Sequence, residues 1–143
     1  MYYIDTCVLA AYYCPETLSD KVQTFLRAQV SPAISDLTDV ELFSAVSKKV
    51  RMGELSHADG NRILSKFQSH VTANLFRIIP IVRQHWQIAR GWLSLFNTSL
   101  RTLDALHLAV ASAEQLTLFT FDRQLLDAAN ALGVQYEAVS IRL

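Results

Sequence analysis

Four carboxylates stand where a folding chain has little reason to place charge: Asp5, Glu41, Asp104 and Asp122. Asp5 ends the apolar run Met1-Tyr2-Tyr3-Ile4, and Asp122 ends a second apolar run that closes on Phe121. An unpaired carboxylate inside an apolar strand either suffers a large desolvation penalty or protonates. Both acids are therefore expected at strand C-termini, the edge where open α/β sheets bind ligands. Each has a hydroxyl beside it, Thr6 after the first and Thr120 before the second. Glu41 and Asp104 are each expected in the first turn of a helix, and helices that follow parallel strands start at that same edge. All four acids can thus meet there. Clustered carboxylates push one another's pKa values up unless a cation joins them. Mg²⁺ or Mn²⁺ is the natural choice, because hard cations take carboxylate oxygens and keep waters. The chemistry of such a site is phosphoryl transfer or phosphodiester hydrolysis. Simpler readings stand beside this one. Glu41 also fits a capping box with Thr38, Asp104 also suits a helix N-terminus, and Asp122 also suits an N-cap for a helix at Gln124. Asp5 has no comparable structural alternative in the sequence.

The elements that must position these acids are legible in the hydrophobic periodicity. Strands are predicted at 2–6, 32–35, 75–79, 116–121 and 134–139. Helices are predicted at 8–13 (broken by Pro15), 18–28, from Thr38 to Gly53, from a Ser56 cap to about residue 71, at 82–96, from a Thr102 cap over 103–115, and at 124–132. Lys48, Lys49 and Arg51 suit the C-terminal end of the third helix, which Gly53 stops. Trp86, Ala89, Leu93 and Phe96 fall on one stripe, and so do Leu103, Leu106, Val110 and Ala113. Strands alternating with helices imply crossovers. The fold class is α/β, a mostly parallel central sheet flanked by helices on both faces.

The 143 residues fit one domain, 1–143, with a single core. With 13 basic and 13 acidic residues the net charge is zero, which argues against a protein that coats DNA. Setting the four clustered acids aside leaves nine acids against 13 bases, enough for a basic rim around an acidic hole. Cys7 and Cys14 match neither a zinc site nor a disulfide framework and read as reduced thiols. The first strand begins at Met1 with no basic n-region, so no signal peptide is expected. Charged or strongly polar residues interrupt every apolar run before it reaches membrane-spanning length. A cytoplasmic location without membrane contact is expected.

The stretches carrying the acids resemble the PIN-domain ribonucleases, and within them the VapC-like toxins of bacterial toxin–antitoxin modules. Tyr3-Ile4-Asp5-Thr6, Leu37-Thr38-Asp39-Val40-Glu41-Leu42, Leu103-Asp104-Ala105-Leu106-His107-Leu108-Ala109 and Phe119-Thr120-Phe121-Asp122-Arg123-Gln124-Leu125 match the family's four acidic stretches in order. The resemblance spans the chain and implies a PIN-like α/β/α sandwich. It implies Mg²⁺- or Mn²⁺-dependent RNA cleavage, with Asp5, Glu41, Asp104 and Asp122 as metal-binding catalytic acids. Thr6 and Thr120 would then orient carboxylates or waters. It further implies a structured RNA of translation, tRNA or rRNA, as substrate, a homodimer, and a small antitoxin as partner. The fourth acid varies within the family, which leaves Asp122 the least secure of the set.

Several other residues carry two readings. His107 could act as a base, though a buried, hydrogen-bonded structural histidine is the commoner case. Arg101 and Arg123 flank the third and fourth acids and could hold RNA phosphates or pair with the acids. The tyrosines and tryptophans read as core or interface aromatics more readily than as base-stacking platforms. A phosphatase with Asp5 as nucleophile is disfavoured, because Cys7 stands where a second aspartate is required. The remaining alternative is a non-catalytic PIN-like domain that binds RNA or protein.

Overall fold

The computed structural model describes residues 1–139. Five short parallel strands form one sheet in the order β3-β2-β1-β4-β5. They are β1 (Tyr2–Ile4), β2 (Ala33–Ser35), β3 (Arg77–Ile79), β4 (Thr117–Thr120) and β5 (Tyr136–Ala138). Between them run α1 (Thr6–Tyr13), α2 (Ser19–Arg27), α3 (Asp36–Arg51), α4 (His57–Thr72), α5 (Arg83–Leu93), α6 (Thr102–Ala113) and α7 (Arg123–Leu132). The element order matches the one predicted from periodicity.

The period of two along each strand divides the core between the two faces of the sheet. Ile4, Ile34 and Phe119 point toward α1 to α4, where they meet Val8, Leu9, Val22, Leu42, Val46 and Phe67. Tyr3, Ala33 and Leu118 point the other way, toward Leu108, Val110 and Ala111 of α6 and Leu125, Ala128 and Ala129 of α7. The register pairs Tyr3 with Ala33 on one side and with Leu118 on the other. β1 is therefore central, and its C-terminal end opens between the ends of β2 and β4.

Several helix starts differ from the predicted ones, for local reasons. α1 begins at Thr6 because Asp5 itself is the N-cap, its side chain accepting from the Thr6 N–H. Asp5 thus has the structural role that its sequence context concealed. α3 begins at Asp36, where Ser35 and Thr38 form the capping box. Glu41 then lies in the second turn and is no capping partner. Arg101 occupies the N-cap of α6 without a side-chain cap bond, so Thr102 is the first helical residue and does not cap. Ser56 caps α4 as expected. Gly53, at φ +76°, takes the left-handed conformation that ends α3.

The stripe predicted for α5 also differs in part. Ala89 and Leu93 pack inward as predicted, joined by His85, Ile88 and Trp92, whereas Trp86 is 52% exposed and Phe96 94% exposed. His85 is buried because its Nδ1 accepts from the Val82 N–H, so an imidazole takes the place that a hydrophobe was expected to fill. Leu103 is exposed as well, and the buried face of α6 is Ala105 to Ala111. Among the described residues, no helix is long and apolar enough to cross a membrane.

Candidate active site

The C-terminal edge of the sheet collects all the predicted site residues, yet they differ in how each is held. Asp5 leaves β1 with its N–H bonded to the Phe119 carbonyl of β4 at 3.1 Å. The residue is buried, only 7% exposed. One carboxylate oxygen accepts from the Thr6 N–H at 2.8 Å, and the other accepts from the Thr120 hydroxyl at 2.7 Å and the Cys7 thiol at 3.1 Å. A carboxylate this buried is tolerated because donors surround it. Thr120 also accepts from the Asp122 N–H at 3.0 Å, so one hydroxyl links the first and fourth acids.

Glu41 reaches the edge from α3. Its Oε1 accepts from the Thr6 hydroxyl at 2.9 Å and contacts His107 Nε2 of α6. His107 is 1% exposed, and its other ring nitrogen meets the Tyr3 hydroxyl at 2.6 Å. Tyr3 continues the chain to Ser35 Oγ at 2.8 Å. Burial by itself would raise the Glu41 pKa, but the bond and charge of His107 and the bond from Thr6 outweigh it, leaving it lowered. For His107, burial acts downward, while the bond to Glu41 and the charges of Asp5, Glu41 and Asp104 leave it raised. Both shifts favour a charged pair, imidazolium against carboxylate. With both ring nitrogens protonated, Nε2–H donates to Glu41 and Nδ1–H donates to Tyr3, whose hydroxyl then donates to Ser35.

Asp104 lies in the first turn of α6 and is half-buried. Its pKa is raised by burial first, then by the negative charges of Asp122, Asp5 and Glu41, against the opposing pull of His107. The other three acids therefore act on it together. Asp122 is the exposed N-cap of α7, accepting from the Gln124 and Leu125 N–H groups at 2.9 and 3.3 Å. Its capping alternative is realised. Arg101 is exposed, and Arg123 pairs at 3.5 Å with Asp127 on its own helix and not with a site acid.

Among the described residues, no three His, Cys, Asp or Glu side chains stand close enough to form a ready metal cage. The four acids share an edge and an electrostatic field, not a closed shell. The physical reason is that like charges separate when each finds its own donors: Asp5 takes Thr120 and Cys7, Glu41 takes His107, and Asp122 takes α7. The donor set is nevertheless oxygen-only and electronegative, which fits a hard cation held partly through water. Burial first, and then repulsion that His107 only partly offsets, leave the folded-state pKa of Asp104 raised, so its ionisation opposes folding. Stability from this group is present below its unfolded pKa and is lost as pH rises through the folded one. Asp104→Asn is accordingly expected to raise stability at neutral pH, in chelator, by a few tenths of a kcal/mol to about 1 kcal/mol once solvent screening is allowed for. Paired thermal melts check this; a lower melting temperature contradicts it.

Two contributors were not singled out in the sequence, Tyr3 and Cys7 as hydrogen-bond partners of the acidic edge. Cys7 is half-buried, and its thiol is pushed up, first by burial and then by the Asp5 charge, so it serves as a donor and not as a nucleophile. Strand alternation does place Tyr3 on the face opposite Ile4. Nothing local shows that its hydroxyl meets a histidine 104 positions away.

The family model for the PIN domain matches residues 2–131. The chain belongs to the PIN domain family. It is 28% identical over 141 residues to ribonuclease VapC46 of Mycobacterium tuberculosis, covering 96% of this chain and 97% of that one. Its fold is similar to that of VapC20 of the same organism, described as a sarcin-ricin loop cleaving toxin, with TM-score 0.70, 14% identity, and 90% and 95% of the two chains covered. It is similar as well to a chain of a toxin–antitoxin complex from Klebsiella pneumoniae, with TM-score 0.64, 20% identity, and 85% and 87% covered. The PIN assignment and the parallel five-stranded sheet bear out the family resemblance and fold class read from the sequence.

Proposed function

We propose that this PIN-domain protein is a divalent-metal-dependent endoribonuclease, the toxin of a toxin–antitoxin pair, acting on tRNA or rRNA. The observation that carries the reading is the edge geometry: Thr6 donates to both Asp5 and Glu41, and Thr120 links Asp5 to Asp122, with Asp104 facing the same charges. Family membership and the similarity to VapC46 support the ribonuclease class. In this reading Asp5, Glu41, Asp104 and Asp122 hold Mg²⁺ or Mn²⁺. The bound ion supplies phosphoryl polarisation and a water of lowered pKa. Thr120 and Cys7 keep the Asp5 carboxylate turned to the edge, and Thr6 does the same for Glu41. His107 balances part of the negative charge and fixes the Glu41 oxygen it touches. Arg101 and Arg123 lie exposed beside the third and fourth acids, where RNA phosphates would approach.

A small antitoxin is the proposed partner, supported by the likeness to a chain of a toxin–antitoxin complex. A homodimer in the cytoplasm completes the proposal. The test is cleavage of total tRNA and rRNA by the purified protein, with Mg²⁺ or Mn²⁺ and with excess chelator. Cleavage is expected only with the ion and is expected to stop on chelation. Chelator-resistant cleavage refutes the mechanism. Calorimetric titration with Mn²⁺ separates the alternative of a non-catalytic PIN-like binding module, which would give no binding heat.

A further inference from the structure

The outer face of α5 is not used by the acidic edge, and its composition is unusual. Arg83, Trp86, Gln87, Arg90, Gly91 and Ser94 follow one another at helical spacing and all face solvent. Shallow solvent-open depressions lie between the side chains of this one helix, the first among Arg83, Trp86, Gln87 and Arg90, the second among Gln87, Arg90, Gly91 and Ser94. α5 contains no acidic residue. Glu114, just beyond α6, is engaged by Arg77 and His85 instead.

An indole that is 52% exposed has a cost in water that its own fold does not require, since Trp92 already fills the inner face. Gly91 weakens the helix interior by roughly 0.5–1 kcal/mol relative to alanine. A Cβ there would meet nothing within 4 Å, so no packing demands the glycine. What it does provide is a low surface beside Arg90 on which another backbone can lie. α5 and α6 run antiparallel, with His85 near Glu114 at one end and Ala89 and Leu93 against the α6 start at the other. The stripe, about 16 Å long, therefore leads toward the end of α6 that carries Asp104.

We infer that the Arg83–Trp86–Arg90 face of α5 is a single-stranded RNA track, in which Trp86 stacks a base and the two guanidiniums hold flanking phosphates. The chemistry matches strands bound by aromatic platforms set among cations. A second copy is the poorer occupant, since a two-fold contact through this face sets arginines against arginines with no acid on the helix. The inference rests on the ribonuclease reading and extends it to where substrate is gripped outside the acidic edge.

The experiment measures binding of a short, mixed-sequence, fluorescently labelled single-stranded RNA to the full chain in chelator, across a salt series. Trp86→Ala is expected to weaken binding about ten-fold or more. Arg83→Gln with Arg90→Gln is expected to flatten the salt slope by about 1.4, each single-strand phosphate contact contributing ~0.7. RNA is expected to quench tryptophan emission in the parent and far less in Trp86→Phe, which retains most of the affinity. Coincident thermal melts show that the variants are folded, and if Trp86→Ala melts early the arginine pair and Trp86→Phe decide. RNA bound by the parent with unchanged affinity and slope in the variants overturns the track while leaving the nuclease reading intact. A parent that binds no RNA in chelator also overturns it, and whether it still cleaves with Mn²⁺ reports separately on the nuclease reading. A loss of dimer with unchanged RNA affinity in Trp86→Ala makes the face a subunit contact and overturns the track.

Discussion

Replacing Asp5 with Asn is expected to lower metal-dependent RNA cleavage about a thousand-fold or more while leaving the fold in place. In the proposed mechanism the variant would remove one charged ligand from a site whose ion would contribute several kcal/mol, at ~1.4 kcal/mol per tenfold in rate. The fold survives because asparagine keeps an acceptor for the Thr6 N–H, and caps helices about as well as aspartate. The Thr120 hydroxyl, which now donates to Asp5 at 2.7 Å, can rotate and accept from the new amide. Melting and cleavage measured on the same preparation distinguish the two roles of Asp5. A variant as active as the parent sinks the proposed mechanism. A variant that melts far below the parent shows that the acid is mainly a structural cap.

The second large effect concerns stability. His107→Ala is expected to destabilise the protein by about 3 kcal/mol, the lower end for removing one partner from a buried ion pair. The cost has two parts, a Glu41 carboxylate left beside an apolar gap and a buried Tyr3 hydroxyl without its imidazole. The same pair gives the fold a pH profile in chelator. Glu41 is lowered from its ordinary 4.5, so its contribution is present above that value and is lost as pH falls through the folded one. His107 is raised from 6.5, so its contribution is fully present below 6.5 and is lost as pH rises through the raised value. Stabilisation by the pair is therefore greatest between about 4.5 and 6.5. Urea melts of the parent and of His107→Ala across this range check it, and their difference should be largest inside the window. A difference that does not vary with pH means that the imidazole acts only by packing.

The pH profile and the Asp5 variant touch residues whose legibility in the sequence was unequal. The element order, the parallel sheet and the chain positions of the acids follow from patterns a few residues wide. Apolar runs that end on Asp5 and Asp122, the Ser56 cap and the Gly53 stop are all local statements about what a strand or helix end tolerates. The resemblance in four ordered stretches added the family, which the PIN match over residues 2–131 bears out.

Only the tertiary structure decided which donor each acid meets. The Ser35–Thr38 box displaced Glu41 from capping duty, freeing it to meet His107, 66 positions later. Thr120 reaches Asp5 because β4 lies beside β1, a pairing that strand composition alone does not specify. The outward turn of Trp86 was equally hidden, since an apolar stripe does not tell which of its members a buried histidine will replace. Local sequence sets what each segment can become. The partners of a buried charge are set by contacts between segments far apart in the chain, which periodicity does not encode.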